Sequence, residues 1–98
     1  MEAELVIRYK HAVDGTVTEV VVWRLTSSVS GCNHPFKYRF YFGLADGTCI
    51  VRYDNERGKG DHRHIDNREE AYRFISLQHL FNDFNADKAA WRLARRNV

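Results

Sequence analysis

Residues 4–25, ELVIRYKHAVDGTVTEVVVWRL, decide the fold. Glu4 to Val13 and Thr16 to Leu25 are apolar runs rich in β-branched residues. Between them stands Asp14-Gly15, a dipeptide suited to the positive backbone angles of a two-residue hairpin turn. In the second run Val17, Val21, Trp23 and Leu25 fall on one face with Glu19, while Thr18, Val20, Val22 and Arg24 make the other. Both faces carry apolar groups, which predicts a strand in the interior of its sheet.

The same signal returns downstream. Phe36 to Ala45 and Thr48 to Tyr53 read as a second pair of strands joined at Asp46-Gly47. Phe36, Tyr38, Phe40 and Phe42 share one face and Lys37, Arg39 and Tyr41 the other, so this strand has an aromatic core side and a basic solvent side. From Ser76 the period becomes helical: Leu77, Leu80, Phe81, Phe84 and Trp91 form a stripe, with Ser76 as the N-cap and an end near Arg96. Tyr72, Arg73 and Phe74 read as a short fifth strand or an extended lead-in to that helix. The predicted fold is therefore α+β, a mostly antiparallel sheet of four to five strands built from two hairpins and packed against one C-terminal helix. Residues 26–35, TSSVSGCNHP, are predicted to be the least ordered stretch between the termini, with His34 a plain surface histidine.

Ninety-eight residues suit one domain, residues 1–98, and hydrophobic residues at 44% with aromatics at 13% are enough to fold without staples. The formal charge of +2 does not announce a nucleic-acid binder. Lys88, Arg92, Arg95 and Arg96 stand without an acidic neighbour after position 88, which suits cations complementing the negative end of a helix dipole; an RNA or partner contact is the second reading. Cys32 and Cys49 show no CxxC spacing, and the chain opens with charged Glu2 and Glu4, so the expectation is reduced thiols in a cytoplasmic protein. No stretch reaches membrane-spanning length, and no membrane partner is expected.

The chemistry concentrates in Arg52 to Phe74, RYDNERGKGDHRHIDNREEAYRF, where two histidines stand among six acids, five arginines and a lysine. The run is expected to be a loop joining the last long strand to the helix, the kind of segment on which functional groups collect. At its centre is Asp61-His62-Arg63-His64, after a hinge-like Gly58-Lys59-Gly60. If this piece is extended, His62 and His64 share one face and Asp61 and Arg63 point to the other. Two imidazoles on one face suit acid and base work on a phosphodiester, or a divalent metal, for which the spacing supplies no third ligand. The same histidines read equally as solvated residues among salt-bridged charges. A basic, aromatic sheet face can also bind single-stranded RNA by stacking; with most rings on the core side, that reading rests on Tyr41 with Lys37 and Arg39.

The order of an N-terminal hairpin, KYRF in a third strand, VRYDN closing the fourth, DHRH, EEAYRF and an aromatic C-terminal helix resembles the TumE-type toxins of bacterial toxin–antitoxin systems over nearly the whole chain. The most specific pieces are Arg52-Tyr53-Asp54-Asn55 and His62-x-His64. The resemblance implies a small cytoplasmic toxin whose partner is a DNA-binding antitoxin. Glu56 to Gly60 stands where many relatives carry a further histidine pair, which weakens a multi-histidine metal site and leaves an acid/base pair intact. By analogy with small toxins that cut RNA, the expected activity is that of an endoribonuclease with no metal and no cofactor: His62 and His64 as base and acid, Arg52 or Arg63 against the developing charge, Asp54 or Asp61 orienting an imidazole, and Lys59 and Arg57 holding phosphate. The alternative is a non-catalytic module whose interleaved charges bind protein or nucleic acid.

Overall fold

A computed structural model describes residues 3–28 and 30–96; the Arg96 side chain, counted above among the terminal cations, lies outside the described residues. Six strands form one antiparallel sheet in sequence order: β1 (Ala3–Val13), β2 (Thr16–Leu25), β3 (Phe36–Leu44), β4 (Cys49–Glu56), β5 (Gly60–Ile65) and β6 (Arg68–Ala71). The helix α1 (Leu77–Arg96) follows and lies on one face.

The first hairpin forms as its turn chemistry dictates. Val13 pairs with Thr16, leaving Asp14 (φ 50°) and Gly15 (φ 77°) both in the left-handed region that a twisted two-residue turn requires. β2 lies between β1 and β3, as its two apolar faces predicted. At the next turn, Asp46 Oδ1 accepts from Thr48 N at 2.9 Å.

Period-two alternation sends Val20, Val22, Tyr38, Phe40, Phe42, Val51 and Tyr53 to one face, where Leu80 and Phe84 of α1 close a fully buried core. The rings meet edge to face, Phe40 on Phe84 at 5.3 Å and Phe42 on Trp91 at 5.5 Å between centroids. Ser76 caps the helix: its Oγ accepts from His79 N at 3.0 Å.

Two expectations need correction. The sheet has six strands instead of four to five, because the charged run is not a loop: it continues the meander as β5 and β6. The second of its turns is Asp66-Asn67, both at positive φ, a pair tolerant of that conformation and hidden among the charges. Of the two readings of Tyr72, Arg73 and Phe74 the extended lead-in holds: they form no strand and lead from β6 to the helix. Finally, His34 is buried and is not a plain surface histidine, in a loop that docks on the sheet at Ser30 and Gly31. Gly58 N donates to Ser30 O at 2.7 Å, and a side chain on Gly60 would come within 2.9 Å of Gly31 O, so glycines let this segment press against the β4–β5 turn.

Phe84→Ala is expected to lower stability by about 3–5 kcal/mol, because it opens a cavity against the Phe40 and Tyr53 rings. Gln78→Ala, on the exposed side of α1, should change it by less than about 0.5 kcal/mol. Thermal melts of the two variants check this; coincident melting curves would mean that α1 does not close the core.

Candidate functional site

The strand register sorts the charged run into two sets. Tyr53 faces Arg63 across β4 and β5, while Arg52 faces His64 and Asp54 faces His62. Side chains alternate, so Tyr53, Asn55, Asp61 and Arg63 lie on the helix side, and Arg52, Asp54, His62 and His64 lie on the opposite, open side. The extended reading of His62-x-His64 holds, and each half of the RYDN and DHRH motifs is divided between the faces.

The helix-side set is fully engaged. Arg63 grips Asp87 of α1 with two bonds, Nε to Oδ2 at 3.0 Å and Nη2 to Oδ1 at 2.8 Å, and reaches Glu70 Oε1 through Nη1 at 2.5 Å. Tyr53 donates its hydroxyl to the same Asp87 carboxylate. Asp87 binds this guanidinium as a fork and Glu70 takes a third N–H, so its charge is met by two carboxylates within the fold. Asp61, with only 8% of its side chain exposed, accepts at Oδ2 from the Tyr38 hydroxyl (2.6 Å) and from His34 Nε2 (2.8 Å). Asn55, fully buried, accepts from Tyr38 N and donates to Phe36 O, so its amide pairs with the backbone at the start of β3. The structure therefore does not bring Asp61 or Arg63 to the histidine pair.

Among the described residues, one group could hold a metal: Cys32, His34 and Asp61, whose ligand atoms lie within 4.8 Å of one another. Its hydrogen bonds argue against that use. His34 Nδ1 accepts from Phe36 N at 3.2 Å, which fixes the proton on Nε2, where it is given to Asp61. A metal on Nε2 would move that proton to Nδ1, against the Phe36 N–H. Burial and the neighbouring Asp61 also push the Cys32 thiol up, away from the thiolate a metal or a nucleophile needs. His34 instead stacks on Phe74 with centroids 3.8 Å apart. Cys32 and Cys49 are both free thiols.

The open face is organised differently. Two rows cross all six strands: Arg8, Val21, Arg39, Asp54, His62, Ala71, and beside it Lys10, Glu19, Tyr41, Arg52, His64, Glu69. His62 and His64 stand roughly 7 Å apart along β5, two strand residues, with Asp54 and Arg52 directly across. Arg52 Nε lies 3.2 Å from Asp54 Oδ2, and His62 Nδ1 lies 3.5 Å from Glu69 Oε1. Neither contact is aligned as a hydrogen bond for the buried atoms that matter: Arg52 Nε and His62 Nε2 are both shielded from solvent with no hydrogen-bond partner among the described residues. Lys59 and Arg57 sit at the exposed β4–β5 tip, in the turn beyond the last register pair, Glu56 with Gly60, and Lys59 pairs with Glu56 at 3.7 Å. Arg8 carries no sequence signal of its own, whereas Arg39 belongs to the alternation of Lys37, Arg39 and Tyr41 that points to this face.

Asp61→Ala is expected to lower stability by roughly 2–4 kcal/mol, because two hydrogen bonds to a charged acceptor are lost and Tyr38 and His34 are left without it. His62→Ala, on the open face, should shift the melting temperature by less than about 3 °C. An unshifted melt for Asp61→Ala would release that carboxylate for a catalytic role.

No helix among the described residues is long and apolar enough to cross a membrane. Comparison with curated proteins found no match, and comparison with solved structures found none either. A family model does match: Toxin TumE, over residues 2–92, which takes in the hairpins, both motifs and most of the helix. The chain belongs to the TumE toxin family.

Proposed function

We propose that this chain is an RNA-cleaving toxin that works on the open face of its sheet without a metal, and that a DNA-binding antitoxin encoded beside it neutralises it. The reading is carried by one observation: the strand register sets Arg52 and Asp54 of one family-like motif directly across from His64 and His62 of the other on that open face, with Arg52 Nε and Asp54 Oδ2 3.2 Å apart.

The chemistry needs little else. A neutral imidazole from the His62 and His64 pair takes the proton of a ribose 2′-hydroxyl, and the freed oxygen attacks the adjacent phosphorus. The bond from phosphorus to O5′ breaks as the other imidazole, protonated, gives its proton to the leaving oxygen. The products are a 2′,3′-cyclic phosphate and a 5′-hydroxyl. Arg52 meets the charge that develops on the phosphate, and Asp54, 3.2 Å from Arg52 Nε and directly across from His62, holds that guanidinium beside the imidazoles. Arg57 and Lys59, at the tip of the same hairpin, are outer phosphate contacts in this reading. Asp61 and Arg63 act through the fold alone.

His62→Ala and His64→Ala should each reduce cleavage of total RNA by at least about a hundredfold and relieve toxicity, with nearly unchanged melting temperatures. The rate should follow a bell-shaped pH profile, since one imidazole must be neutral and the other protonated. Cleavage should survive strong chelation. Full activity in the double alanine variant would sink the assignment; loss in chelator, restored by zinc or manganese, would recast the two histidines as ligands.

A further inference from the structure

The open face holds more than the histidine pair. Among the described residues Arg39 and Arg8 are ion-paired with no carboxylate, although the face carries Glu19, Asp54 and Glu69, which lie near Lys10, Arg52 and His62 instead. Each of the two free guanidiniums lies over an aromatic ring of the same face: Arg39 over Tyr41 at 5.0 Å and Arg8 over Trp23 at 6.0 Å. The Tyr41 ring is also held in place. Its phenol occupies the space a side chain at Gly43 would fill, and its hydroxyl lies 3.5 Å from Gly47 O.

Spacing gives these groups a direction. His62, Asp54, Arg39, Val21 and Arg8 are consecutive register partners on β5, β4, β3, β2 and β1. At about 4.8 Å per strand, Arg39 stands roughly 10 Å from His62, and Arg8 roughly 10 Å farther on. Positive charge and flat rings thus recur along one line, perpendicular to the strands, that begins at the proposed site of cleavage. Helix α1 packs on the other face and does not obstruct it.

We infer that the open face is a track for single-stranded RNA, running from His62 and His64 across the sheet to β1, with phosphates on Arg39 and Arg8 and bases stacked against the layers of Tyr41 and Trp23. The track takes its starting point from the reading of the histidine pair as the RNA site. Single strands are required, because a base must be splayed out of a duplex before its flat side can reach a ring or a guanidinium plane. The anionic backbone supplies the counter-charge that the face withholds from Arg39 and Arg8.

The test separates binding from cleavage. The His62→Ala/His64→Ala protein is titrated into a fluorescein-labelled single-stranded RNA 12-mer and into the same strand annealed to its complement, with anisotropy as the readout. The single strand should bind at least tenfold more tightly than the duplex. Added to that background, Tyr41→Ala should weaken binding about tenfold without altering its salt dependence, and Tyr41→Phe should restore it. Arg39→Ala and Arg8→Ala should each lower the slope of log affinity against log salt by about 0.7, one phosphate contact on a single strand. Equal affinity for duplex, or binding and salt slopes untouched by these substitutions, would overturn the track even if the wild-type protein cleaves RNA. Binding with the expected dependences by a protein that cleaves nothing would leave the track standing and remove the catalytic reading instead. If no RNA binds, and Arg39→Ala or Tyr41→Ala abolishes co-purification with the antitoxin, the face belongs to the protein partner and the track is wrong.

Discussion

The register between β4 and β5 is the constraint on which the rest of this structure depends. With Tyr53 opposite Arg63, the histidines face away from the helix beside Arg52 and Asp54. A slip of one residue would exchange the faces, burying two imidazoles under α1 and exposing Asp61 and Arg63. Several contacts hold the register. Gly58, at φ 82°, closes the turn; Gly31 and Gly60 meet backbone to backbone; and the Arg63–Asp87 fork ties β5 to the helix. Each is satisfied in only one alignment.

The helix side is finished by a repeated device. Tyr38 donates to Asp61, Tyr53 to Asp87 and Tyr72 to Asp83, so three hydroxyls at the margin of the apolar core each end on a carboxylate. Burial and the nearby negative charge push all three phenols up, so they remain hydrogen-bond donors across the physiological range. The arrangement lets large rings fill the core while their polar ends stay paired. It also consumes acids and a guanidinium that would otherwise look like site residues.

The two faces thus differ in how completely their polar groups are paired. On the helix side Arg63, Asp61, Asn55 and His34 each find partners whose geometry leaves little to add. On the open side two buried nitrogens have no hydrogen bond among the described residues, and two guanidiniums rest on rings instead of carboxylates. Strand pairing and the helix-side core carry the stability, so the open face is free to keep groups that a ligand would satisfy.

The sequence by itself determined the hairpins at Asp14-Gly15 and Asp46-Gly47, the aromatic side of β3 and the capped helix from Ser76, because turn chemistry and hydrophobic period act over a few residues. It also determined that His62 and His64 share a face once the piece is extended. It did not reveal that the charged run is extended, since β5 and β6 have little apolar alternation of their own and are strands by pairing with β4 and with each other. Nor could it reveal that Asp61 belongs to His34, twenty-seven residues earlier, or Arg63 to Asp87, twenty-four residues later. In one dimension an arginine beside a histidine looks like its helper; only the tertiary structure decided which face each occupied, because strand alternation separates sequence neighbours while folding supplies their actual partners from distant elements.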